Sequence, residues 1–175
     1  MKLMLGAIAC ALVTVPAIAQ HHHHAASPYS GFETREIKAL SDAQIRDLRA
    51  GRGMSMALAA ELNGYPGPLH VLELAEALAL TADQRARTDA LLGEMKKAAA
   101  ELGRRLIESE RRLDALFTAG SPTAEDIATA TAEIGALQGR LRALHLSYHL
   151  HMKQLLTPQQ VARYNGLRGY VAARQ

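Results

Sequence analysis

The chain has 175 residues, with 20 Lys or Arg against 17 Asp or Glu and a net charge of +3 when histidine is neutral. It contains no Trp, 2 Phe and 1 Cys, and is rich in Ala and Leu. That charge gives no electrostatic case for nucleic-acid binding, and the composition favours thin helical layers over a thick globular core.

Residues 1–19 read as a secretory signal peptide. Lys2 supplies the positive start, Leu3 to Val15 an apolar run, and Ala17-Ile18-Ala19 a small-x-small cleavage site. The run is too short for a membrane span. Cleavage would remove Cys10, leave no disulfide option, and export a soluble chain that starts near Gln20. Residues 20–40 are expected to form a histidine-rich, flexible arm. Its run His21–His24 reads either as an added affinity tag or as a native metal-catching tail. After cleavage His22 would be the third residue, where an imidazole, a terminal amine and two backbone amides suit square-planar Cu(II) or Ni(II).

Helix signals follow in order. Ser41-Asp42-Ala43-Gln44 is a capping box that opens a helix with Ile45 and Leu48 inward. Gly51 and Gly53 weaken that helix, and Met54 to Leu62 can resume it. Asn63-Gly64-Tyr65-Pro66-Gly67-Pro68 must be a turn, with Pro68 at the first position of a short helix reaching about Leu78. Thr81 and Gln84 make a second capping box. The helix they open runs to about Phe117, with a seam at Leu92, Met95, Ala99, Leu102, Leu106, Leu113 and Leu116 that Ser109 interrupts. Ser121 as cap and Pro122 in the first turn are expected to start the next helix. Its matching seam runs through Ile127, Ala130, Ile134, Leu137, Leu141, Leu144, Tyr148, His151 and Leu155. Thr157 and Gln160 form a third capping box, opening a last helix that ends near Gly166 to Tyr170.

Two long seams joined by a short loop predict an all-α fold, an antiparallel long-helix hairpin flanked by short helices, four to five in all. The expected boundaries are 1–19 for the signal peptide, 20–40 for the arm, 41–170 for the helical domain and 171–175 for a C-terminal tail. A hairpin this thin leaves apolar side chains uncovered, which predicts a homodimer with Leu78, Leu91 and the first helix at the subunit contact.

The chemistry-bearing stretch is Leu144 to Gln160. His145, His149 and Met152 stand at i, i+4 and i+7, on one helix face, and two imidazoles one turn apart can grip one metal ion. The bland alternative is a polar border to a helix seam. No nucleophile elbow, phosphate-binding glycine loop or His-Glu-x-x-His segment is present, so catalysis is not expected.

Leu80-Thr81-Ala82-Asp83-Gln84 and Leu156-Thr157-Pro158-Gln159-Gln160 are two copies of Leu-Thr-x-x-Gln, carried by Leu80, Thr81, Gln84, Leu156, Thr157 and Gln160. With a hairpin between them and an export signal before them, residues 41–170 resemble the Spy/CpxP family of periplasmic chaperones and the related periplasmic heavy-metal sensor and resistance proteins. The resemblance implies a thin dimeric cradle in the periplasm that holds unfolded or misfolded envelope proteins without ATP, in envelope or metal stress. The metal-sensor branch implies instead a site for Zn, Cu, Ni or Co between an early and a late helix, and a membrane-bound sensor protein as possible partner. On that branch Glu61, His70 and Glu73 are the early-helix donors to join His145, His149 and Met152. Holding clients requires no cofactor.

Overall fold

Each long helix begins at a reciprocal capping box. The structure is a computed structural model that describes residues 27–170. The signal-peptide segment, His21–His24 and the tail 171–175 lie outside the described residues. The chain divides after Ser30 into two units, and residues 27–30 of the first form a turn closed by a 2.9 Å bond from the Ser30 amide to the Ser27 carbonyl. In the second, a 3-10 turn at Phe32–Thr34 precedes α1 (Asp42–Arg49), α2 (Leu58–Glu61), α3 (Pro68–Glu73), α4 (Ala82–Thr118), α5 (Ala124–Leu155) and α6 (Pro158–Leu167). Among the described residues there is no strand, only an isolated bridge between Ile37 and Leu40. The all-α hairpin expected from the seams is present as the packed pair α4 and α5. No helix among the described residues is long and apolar enough to cross a membrane.

The boxes at Ser41/Gln44, Thr81/Gln84 and Thr157/Gln160 form as the sequence predicts. The start of α5 differs from expectation. Thr123, not Ser121, is the cap, and Pro122 stands before the helix rather than in its first turn. Asp126 decides this. It lies three residues after Thr123, accepts from the Thr123 amide at 3.0 Å, and its own amide donates back to the Thr123 hydroxyl. The Thr123 hydroxyl, which donates to the same carboxylate at 2.6 Å, and then the Thr123 amide hold the Asp126 carboxyl below its ordinary range. At the end of α4, Gly120 (φ 86°) takes the left-handed position that closes the helix. The helix at 68 stops at Glu73, short of the expected Leu78. Residues 74–79 continue as turns, and Ala79 (φ 48°) reverses the chain into Leu80.

Two of the boxes interlock. The Gln84 and Gln160 side chains exchange amide hydrogen bonds at 2.9 Å in both directions. Each oxygen also accepts from the amide of its own cap residue, Thr81 or Thr157. Each nitrogen gives its second hydrogen to a main chain, Gln84 to Leu155 and Gln160 to Leu78. Both donors and both acceptor sites of each amide are thereby used. The Leu-Thr-x-x-Gln repeat is thus one clasp made of two caps.

The apolar side chains gather in two clusters. The first joins Ile37, Leu40, Ile45, Leu48, Ala99, Leu106, Ile107, Ile134, Leu137 and Leu141. Ile37 and Leu40 are buried in it, so the packed body starts before Ser41. Arg111, which pairs with Glu36 and Glu108 at 2.6 Å, and Lys38, which pairs with Asp114 at 3.4 Å, secure the same segment to α4. Helix α1 lies almost backbone to backbone on α4, since a Cβ on Gly103 would come within 2.3 Å of the Leu48 carbonyl oxygen. The second cluster joins Val71, Leu78, Met152, Leu156, Val161 and Tyr164. Ile45, Leu48 and Leu78 are therefore buried inside the subunit, while Leu91 is half-buried.

The α5 seam is correct up to Leu141 and then moves. Beyond it the buried line is His145, His149, Met152 and Leu156, while Leu144 and Tyr148 are half-buried and His151 is exposed. A straight helix drifts from a 3.5-residue repeat, and successive four-residue steps carry the buried line onto the neighbouring face, where α2 and α3 pack.

Replacing Gln160 by Glu keeps its acceptor role in the box but removes both donors and opposes oxygen to oxygen. We expect Gln160→Glu to lower unfolding free energy by about 2 kcal/mol in urea denaturation. Gln44→Glu, in the isolated box of α1, should change it by less than about 0.5 kcal/mol, since Glu serves equally at that position. Equal losses for the two would count against the clasp.

Candidate functional site

The buried His145–His149 line meets the 63–68 turn between the two apolar clusters. As expected, that turn folds α3 back beside the far end of the hairpin. Lys153 donates to the Gly64 carbonyl at 2.8 Å, and His149 Nδ1 donates to the Tyr65 carbonyl at 2.7 Å. The second bond fixes the His149 tautomer and leaves Nε2 as the nitrogen with a free lone pair. Gly67 makes the close approach possible, because a Cβ there would lie 2.9 Å from His149 Cε1 and 3.5 Å from Glu61 Oε2.

Glu61 is 6 % exposed at the end of α2. Its Oε1 accepts from the Tyr164 hydroxyl and lies 3.6 Å from Arg168 Nε. Its Oε2 has no hydrogen-bond partner and lies 3.7 Å from His149 Nδ1, too far for a hydrogen bond. Burial, then the bond to Glu61, pushes the Tyr164 hydroxyl far above its ordinary range, so it stays a donor. His145, one turn before His149, is 2 % exposed and its Nε2 has no partner either. Burial, and secondarily His149, depresses its pKa. Two buried polar atoms thus stand without partners beside a bare imidazole nitrogen.

A cleft of about 300 Å³ opens onto this corner. Glu61, His70, His145 and His149 line it, as do Met54, Met95 and Arg168. His70 is half-buried, and its Nδ1 is 2.8 Å from Glu73 Oε2. Glu73 touches the ring but does not line the cleft. Met152, grouped with the histidines by helical spacing, is fully buried in the second apolar cluster and does not line the cleft. Of the six candidate donors, the structure therefore brings four to one cleft.

Tyr164, Arg168 and the Tyr65 carbonyl, which hold Glu61 and His149 in place, were not foreseen from sequence. The available signal was the i, i+4 spacing of Tyr164 and Arg168 after the third capping box. Imidazole nitrogen and carboxylate oxygen with unpartnered atoms fit the chemistry of a late transition-metal ion. Among the described residues, however, no three His, Cys, Asp or Glu side chains converge closely enough to hold one.

The depressed His145 pKa has a thermodynamic sign. The unfolded chain binds the His145 proton at about pH 6.5 and the folded chain only at lower pH, so the unfolded state takes up more protons as pH falls. This contribution to stability is full above about pH 6.5 and is lost progressively below it. Metal-free protein should accordingly show a denaturation midpoint that falls below pH 6.5, less steeply in His145→Gln. An identical slope in the variant would assign the effect to another group.

No curated protein and no solved structure matches the chain significantly. Residues 53–163 match the heavy-metal resistance family, over a span that holds Glu61, His70, His145, His149 and both interlocked glutamines. With more than half its length matched, this helical-hairpin chain belongs to the heavy-metal resistance family, of Spy/CpxP-like periplasmic fold.

Proposed function

We propose that the chain is an exported, periplasmic metal-binding protein that takes a late transition-metal ion in the cleft lined by His145 and His149, with the Glu61 carboxylate as its charged neighbour. The observation that carries this reading is the pair of buried atoms without partners, His145 Nε2 and Glu61 Oε2, beside a cleft open to solvent. Leaving such groups unpaired is costly, and a bound cation would remove that cost. His70, with Nδ1 engaged by Glu73, supports a further nitrogen donor through Nε2. The chain's own residues orient the donors. The Tyr65 carbonyl sets the His149 tautomer, while Tyr164 and Arg168 hold the other Glu61 oxygen. Zn, Cu, Ni and Co all accept such ligands.

The test uses the full chain with His21 to His24 replaced by Ala, which removes competing imidazoles. Glutamine at 145 and 149 keeps approximate size and hydrogen-bonding capacity. His145→Gln with His149→Gln should weaken Zn(II) or Ni(II) binding by at least about tenfold, and should abolish the metal-dependent rise in Tm. Equal binding by parent and variant, measured by calorimetric titration, would make the histidine corner structural.

A second reading, a holding chaperone for unfolded envelope proteins, is supported by the exposure of Leu58 on α2, Leu62 at its C-terminal cap and Leu69 on α3. Neighbouring exposed leucines suit adaptable apolar contact, alone or in a homodimer. This reading needs no nucleotide. Under it, the chain suppresses aggregation of an unfolding client near one-to-one ratio and at high salt, and Leu58→Ser with Leu62→Ser and Leu69→Ser loses most of that effect. No suppression by the parent at any ratio would discard it.

A further inference from the structure

Four methionines lie among the described residues, and two of them, Met54 and Met95, line the same cleft as His145 and His149. Resting on the metal-binding reading above, we infer that the cleft is built for a soft monovalent cation, Cu(I), with the Met54 and Met95 thioethers completing the shell that the two imidazoles begin.

Three observations lead there. The hard and borderline donors fall short, because no three His, Cys, Asp or Glu side chains among the described residues gather around one point. Among the described residues, the sulfur atoms lining the cleft are the thioethers of Met54 and Met95. Thioethers are soft ligands that favour Cu(I) over harder dications, and imidazoles accept copper as well.

Charge points the same way. One Glu61 oxygen already faces the Tyr164 hydroxyl and the Arg168 guanidinium, and Arg168 itself lines the cleft. A dication there would meet a resident cation with half of the single lining carboxylate engaged. A monovalent ion held by neutral donors meets less repulsion.

The backbone supplies the third observation. Met54 (φ 44°) and Ser55 (φ 62°) are consecutive non-glycine residues in the left-handed region. That conformation is uncommon outside glycine, and it persists only where the surroundings over-determine it. Here it occurs in the turn that brings Met54 to the cleft, although Gly53, next to it, could take positive φ at lower cost.

The experiment compares Ag(I), a redox-inert stand-in for Cu(I), with Zn(II) on the full chain with His21 to His24 replaced by Ala. Leucine is the near-isosteric replacement for methionine. Met54→Leu with Met95→Leu should weaken Ag(I) binding by at least about tenfold while moving Zn(II) affinity by less than about threefold. In the methionine-retaining chain, Ag(I) should shift the methyl NMR signals of Met54 and Met95 and leave those of Met56 and Met152 in place. This readout stands even if the leucine variant folds poorly. Unmoved Met54 and Met95 signals, unchanged Ag(I) affinity in the leucine variant, or equal losses for both metals would overturn the inference. Failure of the broader reading looks different, because His145→Gln with His149→Gln would then leave both metals bound as in the parent.

Discussion

The reciprocal amide pair between Gln84 and Gln160 fixes where three helices meet. Each glutamine completes the cap of its own helix and donates to a chain that has just left another, Leu155 at the end of α5 and Leu78 before α4. The starts of α4 and α6 therefore cannot shift relative to the end of α5 without breaking several bonds together. This rigidity extends outward. Leu78 and Leu156 flank the clasp in the second apolar cluster, where Tyr164 packs and from which its hydroxyl reaches Glu61. The carboxylate in the cleft is held, at one remove, by two helix caps.

The site lies between two apolar clusters that differ in origin. The first is the seam of the hairpin extended by α1 and the segment carrying Ile37 and Leu40. The second belongs to the clasp. Between them α5 buries imidazoles where a continued leucine seam would have given an uninterrupted core. Burying two polar atoms without partners, His145 Nε2 and Glu61 Oε2, sacrifices stability that an apolar seam would have kept.

Much of this was legible in the residues. Capping boxes are local, and those at Ser41, Thr81 and Thr157 could be read directly because every partner lies three residues away. The Ser121 cap failed for the same local reason, since Asp126 completes a box with Thr123. The helix spacing put His145 and His149 on one face but also put Met152 there, and only the packing of α6 decided that Met152 belongs to a core. Glu61 and His70 were identified by resemblance, without a way to place them. Their positions depend on a turn whose geometry is set by contacts with Lys153 and His149, more than eighty residues away. Tyr164 and Arg168 are not legible locally because their i, i+4 spacing alone does not distinguish a tyrosine that closes a site from one that fills a core.

Those separations bear on the order in which the molecule assembles. The hairpin zips from its tip through contacts between near neighbours, whereas the glutamine pair joins residues 76 apart and the Glu61–Tyr164 bond residues 103 apart. Contacts that close long loops are delayed by the entropy of closure. The cleft is thus finished last, when α6 docks on a hairpin already formed. A ribosome delivering the chain from its N-terminus releases Tyr164, which secures Glu61, 103 residues after Glu61 itself, so the carboxylate waits for its anchor through most of synthesis.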